Sequence, residues 1–345
     1  MSLCVLRLSA IGDICHTLPV VRTLQAHLPD TPITWIIGRT EAGLIGDIPG
    51  IEFITFDKRT GLSGMRAIGK QLRGRRFETL LHMQISIRAS ILSAFVSADR
   101  RIGFDRERAR DFQWLFTNER IAPAPRQHVM EGLFGFAEAL GITGQVLRWD
   151  IPVPSDAKEF AHSVIPDGRP TMVISPCSSS RFRNFRNWRP ENYIAVAEHA
   201  HRVHGLDILV TGGPTTIERD YGARIAKDAN APVTNLVGET NLKQLFAVLQ
   251  GATVVVSPDS GPVHMATAAG TPVIGLYASS NPDRTGPSRQ RQWTVNRYPE
   301  ALMRECGKTV DEVRWGNRVR SPDAMDLVAV TDVTERLDAL LSPSA

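Results

Sequence analysis

The sequence predicts an α/β protein built of two doubly wound, Rossmann-like domains, each a parallel sheet covered by helices. Three observations predict it. Short β-rich apolar runs alternate with amphipathic runs along the 345 residues. The alternation loosens around residues 149–156, where Pro152 and Pro154 interrupt any period. It then restarts with the same character. Strands separated by helices pair in parallel and are covered on both faces. Two such stretches mean two domains, with a cleft expected between them and ligand-binding loops at the carboxyl ends of the strands.

Residues 3–8 form the first strand candidate, followed by a helix over about 14–27 in which Pro19 is expected to introduce a kink or end the first segment. Further strands are expected at 33–37, 53–56 and 79–83, with helices at 87–96 and 127–140. In the last of these, Met130, Leu133, Phe134 and Ala137 recur at helical spacing. The linker falls at 149–156 or slightly later, up to Pro170. Strands follow at 171–175, 207–211, 253–257 and 272–277, and helices at 190–202, 217–227, 241–249 and 261–269. A terminal helix is expected over 326–341. The domain bounds read from this pattern are 1–155 and 165–325, with the helix-bearing segment 326–345 after them.

Composition narrows the class. Hydrophobic residues make up 42% and charged residues 22%, the balance of a globular rather than a disordered chain. No run approaches the roughly 18 apolar residues that cross a bilayer. The opening residues carry neither a basic leader nor an apolar run of signal length, so a cytoplasmic location is expected. Cys4, Cys15, Cys177 and Cys306 form no Cys-x-x-Cys pair, which argues against a zinc ribbon or redox motif and for reduced thiols, with Cys4 in the core. The net charge is +4, mildly basic, and unevenly distributed.

The chemistry-bearing stretches lie in the loops after strands. Ser9, Ala10, Ile11, Gly12 and Asp13 follow the first strand. Gly12 is expected to allow a tight turn and Asp13 to stand at the helix start. A carboxylate there has two uses: to cap the helix, or to take a proton from a sugar hydroxyl and make it a nucleophile. His16, one turn on, either hydrogen-bonds Asp13, touches an acceptor or is structural.

In the second half, Asp259, Ser260, Gly261 and Pro262 lead from a strand into a helix closed by Gly270. The unpaired amides and partial positive charge of such a helix start suit a diphosphate. Ser260 and Gly261 let the backbone approach it, and His264 would donate to phosphate or sugar. Asp259, kept off the phosphates by like charge, either accepts from sugar hydroxyls or caps the helix. Glu218 follows Gly212 and Gly213 and is either a ribose ligand or an acid set against the helix dipole. A polar turn from Cys177 through Ser178, Ser179, Arg181, Arg183 and Arg186 reaches Trp188 and Pro190. Its register leaves open which arginine would neutralise a leaving diphosphate, and Arg186 is the candidate.

Lys58, Arg59, Arg66, Lys70, Arg73, Arg75 and Arg76 share one stretch without an acid. Arg66, Lys70 and Arg73 fall on one helical face, with Leu62, Met65 and Leu72 towards another. Arg100, Arg101, Arg106, Arg108 and Arg110 form a second cluster. Such clusters are either solvated faces or a grip on an anionic acceptor and an anionic leaflet. The modest net charge and lack of a recognisable nucleic-acid motif argue against nucleic-acid binding.

Gly12-Asp13 followed by His16-Thr17-Leu18-Pro19 resembles the opening signature of glycosyltransferase family 9, the bacterial ADP-heptose:lipopolysaccharide heptosyltransferases. Asp259, Ser260, Gly261 and His264 match the family's second hallmark. The resemblance implies a GT-B fold and an inverting transfer with Asp13 as general base. It implies donor contacts from Ser178, Ser179, Arg186, Glu218, Asp259, Ser260, Gly261 and His264 to ADP-heptose, a substrate rather than a cofactor. The acceptor, an anionic lipid-linked sugar (Kdo-lipid A or a partial inner core), would meet His16, Arg59, Arg66, Lys70 and Arg73. The acceptor-binding half would be the N-terminal domain and the nucleotide-sugar half the C-terminal one. Peripheral contact with the inner face of the inner membrane follows from a lipid acceptor. No cofactor and no metal are expected, since no carboxylate pair has metal-ligand spacing. The chain departs from the family in carrying Arg186 where Lys is common, and in placing Arg189 between Trp188 and Pro190. The alternative is a GT-B transferase or epimerase using another nucleotide sugar. A dinucleotide oxidoreductase is disfavoured because no Gly-x-Gly-x-x-Gly follows a strand. A non-catalytic assembly partner is disfavoured by Asp13.

Overall fold

The structure, a computed structural model, describes residues 2–166, 168–178 and 184–342. The chain divides into two compact units between Pro152 and Val153. In the first unit come β1 (Leu3–Leu6), α1 (Ile11–His27), β2 (Ile33–Gly38), α2 (Arg39–Ile45), β3 (Ile51–Phe56), α3 (Gly61–Gln71) and β4 (Phe77–His82). There follow α4 (Ile87–Ser93), β5 (Ala98–Gly103), β6 (Glu119–Arg120) and α5 (Val129–Glu138). The six strands form one parallel sheet in the order β3-β2-β1-β4-β5-β6. β1 is apolar throughout because it pairs on both edges, Leu3 standing opposite Ile33 and Thr79, and all four of its side chains are buried. Cys4 belongs to this core, and burial pushes its thiol pKa up.

Pro19 does not end α1, which runs unbroken to His27. A proline at this position leaves the Cys15 carbonyl without its helical donor. The indole Nε1 of Trp149 supplies the missing bond at 2.7 Å. Gly12 also differs from expectation: it lies inside α1, and the turn is made by extended Ala10, with φ −92° and ψ −177°.

The second unit opens with α6 (Ser155–Val164), β7 (Thr171–Ile174), α7 (Pro190–His204), β8 (Asp207–Val210), α8 (Thr216–Asp228), β9 (Val233–Asn235) and α9 (Leu242–Gly251). It continues with β10 (Val254–Pro258), α10 (Gly261–Ala269), β11 (Val273–Tyr277), α11 (Pro282–Thr285), β12 (Val295–Asn296), α12 (Tyr298–Cys306) and α13 (Val330–Leu341). Its parallel sheet is ordered β9-β8-β7-β10-β11-β12, the arrangement of the first sheet repeated. Residues 155–164 are therefore not linker. Pro154 precedes α6, which packs on α9 and buries Ala157. The terminal helix starts later than the sequence suggests, at Val330, after a short 3-10 turn over Ala324–Leu327. It belongs to the second unit's core: Val333 and Leu337 join the same buried cluster as Trp188 and Tyr193. No described helix is long and apolar enough to cross a membrane.

Candidate active site

A doubly wound sheet binds its ligands where the chain reverses direction of winding, at the carboxyl ends of the two central strands. In the first unit these are β1 and β4. The Gln84 side chain, just past β4, accepts from the amides of Leu8 (3.1 Å) and Ser9 (3.2 Å), clamping the loop that follows β1. Asp13 sits in the first turn of α1. Its Oδ2 accepts from the Ala10 amide at 3.0 Å, and its Oδ1 lies 2.7 Å from Nη2 of Arg7. Ala10, not Asp13, is the N-cap. The Asp13 side chain remains 36% exposed while Arg7 is 8% exposed. The carboxylate ties down the helix start and still faces solvent. Arg7 also donates to the Met83 carbonyl, linking both central strands to Asp13.

Beside this loop lies a cavity of about 320 Å³ bordered by Ser9, Gln84 and six charged side chains, Arg39, Lys58, Arg59, Arg88, Glu41 and Asp57. Four cations against two carboxylates leave it electropositive. Asp57 is held by Arg59 through a bidentate pair (2.8 Å and 3.2 Å), which lowers its carboxyl to about 2, and Arg39 stands 3.3 Å away. Burial pushes the Glu41 carboxyl up, away from the ordinary range. Gly38 is needed at the rim, since a Cβ there would collide with the Leu8 carbonyl and the Glu41 carboxylate.

Of the expected acceptor residues, the structure brings Arg59 to this cavity. Arg66 and Lys70 stand exposed on α3, and Arg73 lies beyond its end, in the turn after Leu72. Leu62, expected on the apolar face, is 57% exposed, whereas Met65 and Leu72 are buried. His16 is buried, its ring edge-on to His128 at 5.1 Å. Other basic residues are neutralised by acids the local sequence does not contain. Arg75 pairs with Glu52 of β3 (2.6 Å), Arg76 with Asp99 of β5, and Arg100 with Glu119 of β6 (2.8 Å). Arg101 donates to the carbonyls of Ser93, Val96 and Phe116. Arg7, Arg39, Gln84, Glu41 and Arg88 were not foreseen. Apart from Arg39 and Glu41, which share the first turn of α2, they are scattered along the chain, and only the sheet order assembles them.

In the second unit the central strands are β7 and β10. After β7, Ser178 donates from its amide to Asn187 Oδ1 (2.9 Å) and from its hydroxyl to Asn184 Oδ1 (2.8 Å). Arg186, anchored by Asn184, donates from Nη1 to the Asp259 carbonyl (2.9 Å) and stands 3.3 Å from Asp259 Oδ2. Asp259 Oδ2 also accepts from Ser280 Oγ at 2.7 Å. Asp259 therefore does not cap α10: its Oδ2 holds the Arg186 guanidinium and the Ser280 hydroxyl. Ser260 is the N-cap and makes no side-chain cap bond. Ser257 Oγ lies 2.9 Å from the Ser175 carbonyl, so its single proton is used there and Ser260 Oγ donates to it at 2.8 Å. The first turn of α10 therefore has no side-chain cap from Ser260. Pro262 lies in the helix's first turn and Gly270 closes it at φ 84°, as the spacing predicts. His264 is buried within α10. Glu218 accepts from the Gly213 amide at 2.8 Å and from Thr215 Oγ1, closing its own loop as a first-turn acid does. Ser179, Arg181 and Arg183 lie outside the described residues.

The model of the family described as glycosyltransferase family 9 (heptosyltransferase) matches residues 65–313. The chain is 41% identical to the lipopolysaccharide core heptosyltransferase OpsX of Haemophilus influenzae, over 98% of this chain and 96% of that one. Among solved structures, a family 9 glycosyltransferase of Veillonella parvula superposes with a TM-score of 0.80 at 19% identity, covering 99% of this chain and 97% of that one. The E. coli heptosyltransferase WaaC, solved with ADP, does so at 0.76 and 19%, covering 99% and 100%. The repeated six-stranded parallel sheet is thus the GT-B fold. With the match running over most of its length, and an extended relative agreeing from end to end, this chain belongs to glycosyltransferase family 9, the heptosyltransferases.

Proposed function

We propose that the protein transfers heptose from ADP-heptose to an anionic sugar of the lipopolysaccharide inner core, with inversion at the anomeric carbon. The observation that carries this reading is the 41% identity, spanning 98% of the chain, with a lipopolysaccharide core heptosyltransferase. The geometry supplies parts suited to the reaction. Asp13 takes the proton from the acceptor hydroxyl as that oxygen attacks the anomeric carbon, on the face opposite the diphosphate. The carbon–oxygen bond to the diphosphate breaks, and ADP leaves with the bonding pair. The uncapped start of α10 and the guanidinium of Arg186 meet the charge that develops there. Arg7 is a positioning residue that holds the Asp13 carboxylate by one oxygen. The electropositive cavity of Arg39, Lys58, Arg59 and Arg88 suits the carboxylates and phosphates of the acceptor.

Because the leaving charge is met by amides and a guanidinium, the chemical step needs no metal ion and no cofactor. A lipid-linked acceptor brings the protein to the cytoplasmic face of the inner membrane as a peripheral partner, and nucleic acid has no part in this reading. Glu218 is proposed to exchange its loop bonds for the ribose hydroxyls, and His264 and Ser178 to complete the donor site.

Asp13→Asn keeps an acceptor for the Ala10 amide but removes the base. Turnover with ADP-heptose and Kdo-lipid A should fall by about 10²–10⁴-fold while the circular dichroism is unchanged. A variant within a few-fold of wild type would remove Asp13 from the chemistry. Stronger binding of UDP than of ADP would favour a transferase or epimerase using another nucleotide sugar.

A further inference from the structure

In the second unit, at the end of its sheet opposite the loops after β7 and β10, α7 and α13 bring together three side chains that no local motif connects. His199 and His204, both on α7, each place Nε2 2.7 Å from the same oxygen, Oδ1 of Asp338 on α13. The three ligand-type atoms all lie within 4.8 Å of one another. The two rings are inclined at 61° with centroids 6.0 Å apart, so they approach that oxygen from different directions. His204 is the last residue of α7, and Gly205, in the left-handed region at φ 65°, turns the chain towards β8. The imidazoles are 19% and 17% exposed and the Asp338 side chain 44% exposed, so the cluster is sheltered on one side and open on the other.

We propose that His199, His204 and Asp338 form a binding site for one divalent transition-metal ion of the zinc class, which clasps α13 to α7. Two neutral imidazole nitrogens and one carboxylate oxygen are a donor set for zinc, cobalt or nickel, not for magnesium or calcium, which take oxygen ligands. Ligand bonds of about 2.0–2.2 Å at tetrahedral angles put donor atoms about 3.3 Å apart. Each Nε2 stands 2.7 Å from the carboxylate oxygen, and all three donor atoms lie within 4.8 Å of one another, so rotation of the side chains is enough to open room for an ion between them. Binding displaces the Nε2 proton wherever the imidazole carries it there, and water completes the shell on the open side.

The position separates this ion from catalysis. His204 precedes the amino end of β8, whereas Ser178, Glu218 and Asp259 follow the carboxyl ends of their strands at the opposite edge of the same sheet. The helix it would pin is also held by Arg297–Asp332 (3.0 Å) and, just before its start, by Trp188 Nε1 donating to the Val328 carbonyl (3.0 Å). The ion would stiffen the terminal helix and leave turnover alone.

The test uses the full chain with Cys306→Ser, because that exposed free thiol would itself take up zinc. Titration with zinc chloride, and with cobalt chloride followed by visible absorption, should show one saturable equivalent and a raised melting temperature reversed by EDTA. Removing even outer-shell partners of a metal site weakens binding about 10–100-fold, so His199→Gln, His204→Gln and Asp338→Asn should each cost at least about tenfold in affinity. Each should also abolish the melting shift. No saturable equivalent, or binding equally tight in all three variants, would show that the cluster is a hydrogen-bonded contact only. A rate that falls when EDTA strips this equivalent would also overturn the clasp.

Discussion

His82 ends β4 with its ring wholly buried. Gln113 Nε2 meets its Nδ1 at 3.2 Å and its carbonyl at 2.8 Å, while Nε2 has no hydrogen-bond partner among the described residues. Burial, aided by the nearby Arg101 and Arg7 charges, lowers its pKa from 6.5 to about 3. The folded protein therefore keeps this ring neutral while the unfolded chain protonates it below 6.5. Stability attached to His82 is complete above that pH and is lost as the pH falls towards 3. At two pH units below the unfolded value the loss is about 2–3 kcal/mol. Urea unfolding of wild type and His82→Phe at pH 7 and pH 4.5 tests this. The variant should gain on wild type by about that amount at the lower pH, and a difference independent of pH would refute the assignment.

At the scale of elements, α1 shows how a breaker is accommodated. Trp149→Phe removes the indole donor from the buried Cys15 carbonyl while keeping most of the ring. An orphaned buried acceptor costs about 1–3 kcal/mol, so the melting temperature should drop with little change in helix content. An unchanged melting temperature would mean that water replaces the indole. What the sequence announces at this scale follows burial. β1, β2, β7, β10 and β11 are flanked on both edges or covered on both faces, so they read as continuous apolar runs. β5 does not, because Arg100 and Arg101 lie within it, made acceptable there by Glu119 and by carbonyls outside the strand. The short edge strands β6, β9 and β12 bear no pattern at all. The same contrast runs through the candidate site. Asp13 and the start of α10 are local constellations and legible as such. Arg7, Gln84, Arg39 and Arg88 are scattered singly and acquire meaning only from strand order.

For the whole molecule, the repeated strand order carries the argument. Asp13 and Gln84 follow β1 and β4, and Ser178 and Asp259 follow β7 and β10, so equivalent places in the two sheets hold the candidate groups. A doubly wound sheet concentrates loops at that reversal, whichever residues fill them. The strand order therefore points to these loops independently of any motif. What differs between the two units is the side chains these loops carry: a carboxylate with its arginine in one, and in the other a helix start without a side-chain cap bond beside a second arginine.

The break between Pro152 and Val153 leaves every strand of each sheet on one side of it. Neither sheet borrows a strand from beyond that boundary, so each half carries a complete sheet. Two separate polypeptides, 1–152 and 153–345, should each express in soluble form and melt cooperatively by calorimetry. Aggregation of either half, or a broad featureless transition, would mean that the halves mature only as one continuous chain.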